Sequence, residues 1–553
     1  MGQTKTWIGL HQDHNAGIAA VRDGELTLYC ELERLTREKN QAGWFPDIIE
    51  QTLRTIDLDS IGGLCVPRPA RMSGWLAERI GIRGVPIHGQ DDLHPLLHIL
   101  AALTLQEVRP AMYAVLVFDA EQPRMGWLDL REPLRAVPDL HLRPMSSDGW
   151  FNGELFSDFY GKVFYGSRDL RHCGKLMGLA SWGRTRLEYT STLRETADRH
   201  FDRTTRVWEG YLGSDGAAIY RDICRATGGD PHDHRSEIAL DLAASAQELF
   251  TDELVRQARR GAAGIAEELR QQGLPEFEGL LYGGGCALSV IANSALRQAL
   301  GAPVIIPPFA HDASQFVGAA IYASLMAGEE WPLGRGWRTV PAHTVGTIDA
   351  EAVARMPSSA PATPGEIARR VLSGEIIAVA RGGAEAGPRA LGHRTLLANA
   401  LDLSMRERIN DDVKKREWYR PFAPMILADA FRDYFAEPAS PASRYMLDSY
   451  RFRPEHRPRF ASVSSPDGVS RPQSIDASDR FLFDVLHELG ARSGHPVVLN
   501  TSLNAPGCPI AFDLRQVIDD CNVLGVDAAV LDGILFEREH LREAADAMKG
   551  AAA

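Results

Sequence analysis

A chain of 553 residues is too long for one hydrophobic core, so roughly two to four domains are expected. A formal charge of -13 speaks against the broad basic surface that generic nucleic-acid binding requires. Apolar content of 44% excludes wholesale disorder, and seven cysteines with no CxxC pair argue for a reducing compartment and against a structural zinc ribbon. No apolar run reaches the roughly 18 residues of a membrane span and no secretory leader opens the chain, which predicts a cytoplasmic protein.

In chain order, TWIGLH and then HNAGIAAVRDGELTLYCELERLTR read as strands around an Asp23-Gly24 hairpin turn, followed by a helix from about Pro46 to Leu58. The opening MGQTKT fits the myristoylation pattern, but a buried strand from Thr6 argues against lipidation. Strands feeding helices in this rhythm predict an α/β fold, a mixed sheet covered by helices. His94 and His98 in LHPLLHIL stand at i, i+4, on one face of a helix beginning near Pro95, which is metal-ligand geometry. YAVLVFD is a strand closing on Asp119, and MGWLDL is its returning partner. FNGELFSDFYGKVFYG and CGKLMGLASWG read as helix-loop elements, and residues 185–235 as a polar, irregular insertion that helps define an acceptor pocket. Ser236 to Gln272 has the period of a core helix. LLYGGGCALSVIANSAL is a strand, a triple glycine and a helix start, an arrangement that aims backbone amides at phosphate. Asp312 then precedes the small-residue helix VGAAIYASLMAG.

From about Gly328 to Pro364 the chain is rich in Pro, Gly and Ala, with Trp331 and Trp337, and marks a domain boundary. A helix near Glu366 to Ser373 and the strand EIIAVA lead into a stretch of opposite charge to the whole. Arg381 to Arg420 holds nine Lys/Arg against six Asp/Glu. Arg389 and Arg394 flank a bend there, Arg416 and Arg420 follow, and guanidinium forks suit phosphate oxygens. PVVLNTSLN ends a buried strand at Asn500, leaving Thr501, Ser502 and Asn504 to contact phosphate; the tail reads helix, strand, turn, strand and a surface helix from Glu537.

GPRALGHR, KKREWYRPFAP and PVVLNTSLN, in this order and spacing, resemble the O-carbamoyltransferases of nodulation-factor (NodU-like) and antibiotic-tailoring pathways, with matches from about residue 8 to residue 536. The resemblance implies a duplicated actin- and sugar-kinase-like (ASKHA) domain over 1–330, a linker over 331–363 and a YrdC-like domain over 364–553. It implies that the second domain makes carbamoyl-adenylate from carbamoyl phosphate and ATP, with magnesium, and that the first transfers the carbamoyl group to a hydroxyl. Asp119 and Asp312 would complete a metal site with His94 and His98; iron is favoured, and manganese or zinc suits the same donors. His14 and Lys39 are the implied catalytic residues, with His14 as general base, and Gly283, Gly284 and Gly285 the nucleotide contacts. Arg389, Arg420 and Arg471, with Asn500 and Ser502, would hold carbamoyl phosphate and ATP.

The chain departs from the family pattern at Asn15, where Asp is usual, in the loop of Ala120 and Gln122, at Gly383 in place of Arg, and at Ser465 in place of His. The loss at Gly383 is expected to weaken substrate binding without abolishing it if Arg381 or a neighbour compensates. The implied partner is a hydroxylated small molecule, a secondary metabolite or sugar, with no nucleic acid or membrane, and a homodimer is left open. Two other classes fit less of the pattern: a threonylcarbamoyl-type tRNA-modifying enzyme, and a non-catalytic sensor of carbamoyl phosphate or nucleotide.

Overall fold

The computed structural model describes residues 4–67, 69–90, 92–119, 121–145, 150–202, 207–208, 216–334, 346–356 and 360–550. Gly2 of the acylation pattern, Ala120 and Trp337 lie outside the described residues.

The first half holds two five-stranded sheets with one topology. In the first, β1 (Thr6–His11), β2 (Gly17–Arg22) and β3 (Glu25–Glu31) run antiparallel, and β4 (Ile61–Val66) and β5 (Ile87–Gly89) add in parallel beyond β1, giving the order β3-β2-β1-β4-β5. The expected hairpin is present: Asp23 and Gly24 both take positive φ, 53° and 76°, as a tight two-residue turn between twisted strands requires. In the second sheet, β6 (Met112–Val117), β7 (Arg124–Asp129) and β8 (Arg143–Pro144) run antiparallel, and β9 (Gly279–Gly283) and β10 (Val304–Ile305) add in parallel beyond β6. The order β8-β7-β6-β9-β10 repeats that of the first sheet, so the duplication is written in strand order.

Two helices lie between these sheets. The helix α1 (His94–Ala102) packs on β6 and β9, the helix α5 (Ala313–Met326) covers β1, β2 and β4, and the two helices pack on each other. Glycines permit the approach: a Cβ on Gly9 would fall 1.9 Å from the Phe316 carbonyl oxygen, and one on Gly318 would fall 2.0 Å from that of Leu97. Around this centre stand α2 (Arg171–Ala180), α3 (Glu237–Gln271), capped by the Ser236 side chain, and α4 (Val290–Leu300). The insertion is not irregular, because helices occupy Leu187–His200 and Gly216–Thr227. Leu193, Ala197 and His200 bury one face of the first, a stripe too thin to stand out among nine polar or charged neighbours in LEYTSTLRETADRH. The early helix also stops sooner than expected, at Leu53, before a short turn at Leu58–Ser60.

The second half is built on an eight-stranded mixed sheet. Its strands are β11 (Ala360–Pro361), β12 (Ile377–Ala380), β13 (Arg394–Ala398), β14 (Ala423–Leu427), β15 (Gln473–Ile475), β16 (Val497–Ser502), β17 (Ala528–Leu531) and β18 (Ile534–Glu537), in the order β11-β18-β17-β12-β13-β16-β14-β15. Alternation sorts its faces: Ile377 and Val379 meet α6 (Pro364–Leu372) and α7 (Arg480–Ser493), while Ala378 and Ala380 meet α8 (Leu514–Leu524) and α9 (Arg538–Gly550). The segment between the halves is partly structured at each end. Trp331 is buried and donates its indole N–H to the Leu103 carbonyl, and Ala360–Pro361 pairs with β18. Among the described residues no helix is long and apolar enough to cross a membrane.

Candidate active site

His94 opens α1 and His98 follows one turn later, so their rings face one space, with centroids 4.7 Å apart. Asp119 enters that space from the end of β6, and Asp312 from the residue before α5. One donor atom from each of the four lies within 4.8 Å of the others. His94 Nε2 and His98 Nε2 are 3.0 and 3.2 Å from Asp119 Oδ2 and 3.1 Å from each other, and Asp312 Oδ1 is 3.7 and 3.6 Å from them. Gly285 N–H donates to the second Asp119 oxygen at 3.1 Å, fixing that carboxylate.

The donor set fits a divalent cation. Asp312 Oδ1 is buried without a hydrogen-bond partner, and two ring nitrogens and two carboxylates converge on one point that only positive charge can reconcile. Electrostatics within the cluster run the same way. Burial opposes charge on His98, yet Asp119 and Asp312 overcome it and raise its pKa to about 9. Burial likewise works against the Asp119 carboxylate, but hydrogen bonds from His94 and His98 hold it well below the usual range. His14 Nε2 lies 3.0 Å from Asp312 Oδ2, and its Nδ1 is 3.2 Å from Asn15 Oδ1. Asn15 stands at φ 61°, a left-handed position that asparagine tolerates, which accounts for its place in this turn. Burial lowers and Asp312 raises the His14 pKa, with a net rise. Sequence reasoning missed His11, the last residue of β1, whose buried Nε2 is 4.0 Å from Asp312 Oδ2; nothing in TWIGLH separates it from a core histidine.

Arg389, Arg420 and Arg471 share one electrostatic neighbourhood with Arg416. Arg389 Nε, Arg416 Nη2 and Arg471 Nε are all buried with no hydrogen-bond partner. Burial lowers the Arg389 pKa to about 10 and the Arg416 pKa to about 9, in each case reinforced by Arg420; Arg471 is lowered by burial and then by Arg389, Arg420 and Arg416. Lys39, although its side chain reaches solvent, is lowered by burial and then by Arg420 and Arg416, so the first half contributes a cation to the same field. Partly desolvated like charges with unused donors leave a local excess of positive charge there. Glu417 is the acid beside it, 3.6 Å from Arg420 and 2.7 Å from Lys175 of α2.

Other residues of these motifs hold the frame. Arg394 is fully buried and donates to the carbonyls of Phe512, Arg381, His393, Gly346 and Gly382, so it staples β13 instead of facing the pocket. Arg381 is paired with Asp479 and donates to Gly392 O, and so does not take up the role left by Gly383. Asn500 donates to the Ala390 carbonyl at 2.8 Å and accepts from Thr395, and Ser502 donates to Asn504 Oδ1, so both side chains are engaged within the fold. Lys414, overlooked in the sequence, reaches the carbonyls of Ser502 and Asn504 and ties that turn to the arginine-bearing segment. Gly283 and Gly284 leave no room for a Cβ, the first against His98 Cβ at 2.9 Å and the second against Phe118 O at 2.3 Å. Gly178 of α2 packs on Pro421, so the GKLMGLASWG element serves contact between the halves.

The two centres share a wall. Gly285 binds Asp119, the turn Gly285–Leu288 spans about 6 Å at roughly 2 Å per residue, and the Leu288 carbonyl accepts from Arg389 Nη2 at 3.4 Å. Gly387 N–H donates to Glu31, and its φ of 86° and a Cβ position 2.2 Å from Pro308 O seat the Gly-Pro-Arg bend on the loop that carries Asp312.

Comparison with known proteins gives two family matches: residues 152–321 match the family model described as Carbamoyltransferase N-terminus, and residues 368–538 the one described as Carbamoyltransferase C-terminus. Nodulation protein U of Rhizobium tropici is 30% identical over 68% of this chain and 63% of its own length, so the match spans less than two thirds of that relative. The 3'-hydroxymethylcephem-O-carbamoyltransferase of Amycolatopsis lactamdurans is 26% identical over 96% of this chain and 99% of its own. Among solved structures, component A of the (R)-2-hydroxyglutaryl-CoA dehydratase of Acidaminococcus fermentans matches 59% of this chain and 100% of its own at 12% identity, with a TM-score of 0.34, a likeness too slight to bear on the fold.

Proposed function

The chain belongs to the carbamoyltransferase family, both of whose halves it carries in order, and on that premise we propose that it is an ATP-dependent O-carbamoyltransferase acting on a hydroxylated small molecule. The first half is read as ASKHA-type, from its repeated 3-2-1-4-5 strand order, and the second as the YrdC-like activating domain. The observation that carries the reading is the pairing, across one short turn, of a four-ligand cation centre with a pocket of unpartnered guanidinium nitrogens.

Carbamoyl phosphate is a sluggish acyl donor, because its nitrogen feeds the carbonyl. In the arginine pocket water releases phosphate from it to leave carbamate, and a carbamate oxygen attacks the α-phosphorus of ATP, expelling pyrophosphate and leaving carbamoyl-adenylate. Arg389, Arg420 and Arg471 hold the anionic groups, with magnesium on the triphosphate, and Lys39 carries positive charge to the edge nearest the first half. Asn500 and Lys414 act on this step by positioning, through Ala390 and the 502–504 turn. The acceptor oxygen then attacks the carbamoyl carbon and AMP leaves. His14 Nε2 receives the hydroxyl proton and holds it against Asp312, while Gly283, Gly284 and Gly285 line the adenylate side. His94, His98, Asp119 and Asp312 would hold a divalent cation, iron by preference, which when bound would supply Lewis-acid polarisation of the carbonyl. The shared wall keeps the mixed anhydride from water between steps. The acceptor is read as a secondary metabolite, in keeping with a full-length relative named for a hydroxymethyl cephem.

Isotope exchange between pyrophosphate and ATP, dependent on carbamoyl phosphate, separates the steps. Arg389→Ala and Arg420→Ala are expected to abolish exchange, and His94→Ala to keep it while losing transfer. Exchange lost in the His94 variant but intact in both arginine variants would refute this division.

A further inference from the structure

Ser314, in the first turn of α5, lies two residues beyond Asp312 and is fully buried. Its Oγ is 2.5 Å from His98 Nδ1 and 2.9 Å from the His311 carbonyl oxygen. A carbonyl can only accept, so both contacts are made together when the hydroxyl of Ser314 donates to His311 O, which also accepts from Ser314 N–H. Toward His98 the same oxygen therefore offers a lone pair, and Nδ1 must bring the proton. A neutral imidazole carrying its proton on Nδ1 has its free lone pair on Nε2, the atom that faces His94, Asp119 and Asp312.

We propose that Ser314 is a positioning residue of the metal centre, fixing the tautomer and ring orientation in which His98 Nε2 is the donor. The inference rests on the reading of His94, His98, Asp119 and Asp312 as cation ligands. The tetrapeptide His311–Ser314 then supplies three parts of one device: a carbonyl that consumes the hydroxyl proton, a ligand, and the hydroxyl that orients a second ligand on a different helix. Its sequence separation from His98, 216 residues, explains why no local motif announces it. Without the hydroxyl, the Nδ1–H of a cation-ligating His98 has no acceptor in a fully buried site, and the tautomer that carries its proton on Nε2, donating to Asp119, competes with the ligating one.

The test is the affinity of the metal-free full chain for Zn(II) alone, titrated calorimetrically, with His98→Ala subtracting ions bound elsewhere. Ser314→Ala is expected to bind about 10- to 100-fold more weakly than wild type, the usual cost of removing such a partner. Ser314→Thr, whose hydroxyl occupies the same position and makes the same i-3 bond, is expected to stay within about threefold of wild type. Equal affinity in Ser314→Ala and wild type overturns the inference and leaves the metal centre standing. Equal weakening in the alanine and threonine variants makes the effect one of packing and also overturns it. A wild-type chain that binds no more Zn(II) than His98→Ala overturns the metal centre together with the inference.

Discussion

At the scale of single residues, two arginines five positions apart in one motif have unrelated jobs. Arg389 keeps a buried Nε with no partner, whereas Arg394 spends its guanidinium on five backbone carbonyls. Burial lowers the pKa of each to about 10, so charge state does not distinguish them; what their nitrogens touch does. Each carbonyl orphaned in a dry interior costs about 1–3 kcal/mol, so Arg394→Ala is expected to lose on the order of 5 kcal/mol, much of a typical folding margin. Lysine offers one point charge where a planar fork is needed, so Arg394→Lys is expected to rescue little. Urea unfolding checks both, and a wild-type midpoint in Arg394→Ala would recast this residue as a ligand contact. The sequence displayed both arginines as anion binders because it shows residue type and spacing, and neither reveals which side of β13 a side chain leaves. The same limit applies to Asn500, whose amide is turned inward to Ala390 and Thr395, while His94 and His98 were legible because helical spacing alone decides that they share a face.

At the scale of elements, the metal centre depends on how closely α1 and α5 approach. His94 and His98 ride on the first and Asp312 immediately precedes the second, so their separation sets whether four donors fit one ion. Gly318 is the contact point: in an ordinary exposed helix, alanine there would stabilise by about 1 kcal/mol. Here its Cβ would lie 2.0 Å from the Leu97 carbonyl, and backbone on both sides leaves nothing flexible to yield. Gly318→Ala is therefore expected to lower stability by about 1–3 kcal/mol and to weaken Zn(II) binding at least tenfold, although it touches no ligand. Unchanged metal affinity would show that the ligands do not depend on this crossing. The sequence shows VGAAIYASLMAG as a small-residue helix, but not what it packs on, since α1 and α5 are separated by most of the first half. The helices at Leu187–His200 and Gly216–Thr227 escaped notice for another reason: the apolar stripe of the first is thin, and it is buried only once the two helices pack on each other and the first packs on α3.

At the scale of the whole molecule, the boundary near residues 331–363 suggests two bodies joined by a tether, yet the packing makes them interdependent. Ala386, Leu391, Tyr419, Tyr445, Met446 and Leu447 of the second half belong to the same buried core as α1 and α5. Buried Arg34 finds its backbone acceptors at Glu385, Gly387 and Ile510, and Arg37 forks onto Asp520 with two contacts of 2.7 Å. In return, Asn293, Ser294 and Arg297 of α4 bind Leu447, Ser449 and Asp448. Separating the halves would expose that apolar surface and take from Arg34 its three backbone acceptors, leaving it beside Glu31 and Glu33, each 3.8 Å away. Residues 346–553 expressed alone are thus expected to lack a cooperative thermal transition and to show no exchange dependent on carbamoyl phosphate. Co-expression with residues 1–334 should restore both, with the two pieces purifying together. A second half that melts cooperatively and catalyses exchange alone would mean that Lys39 and the seat of the Gly-Pro-Arg bend on the Asp312 loop are dispensable for activation, and that the shared wall serves only the transfer step.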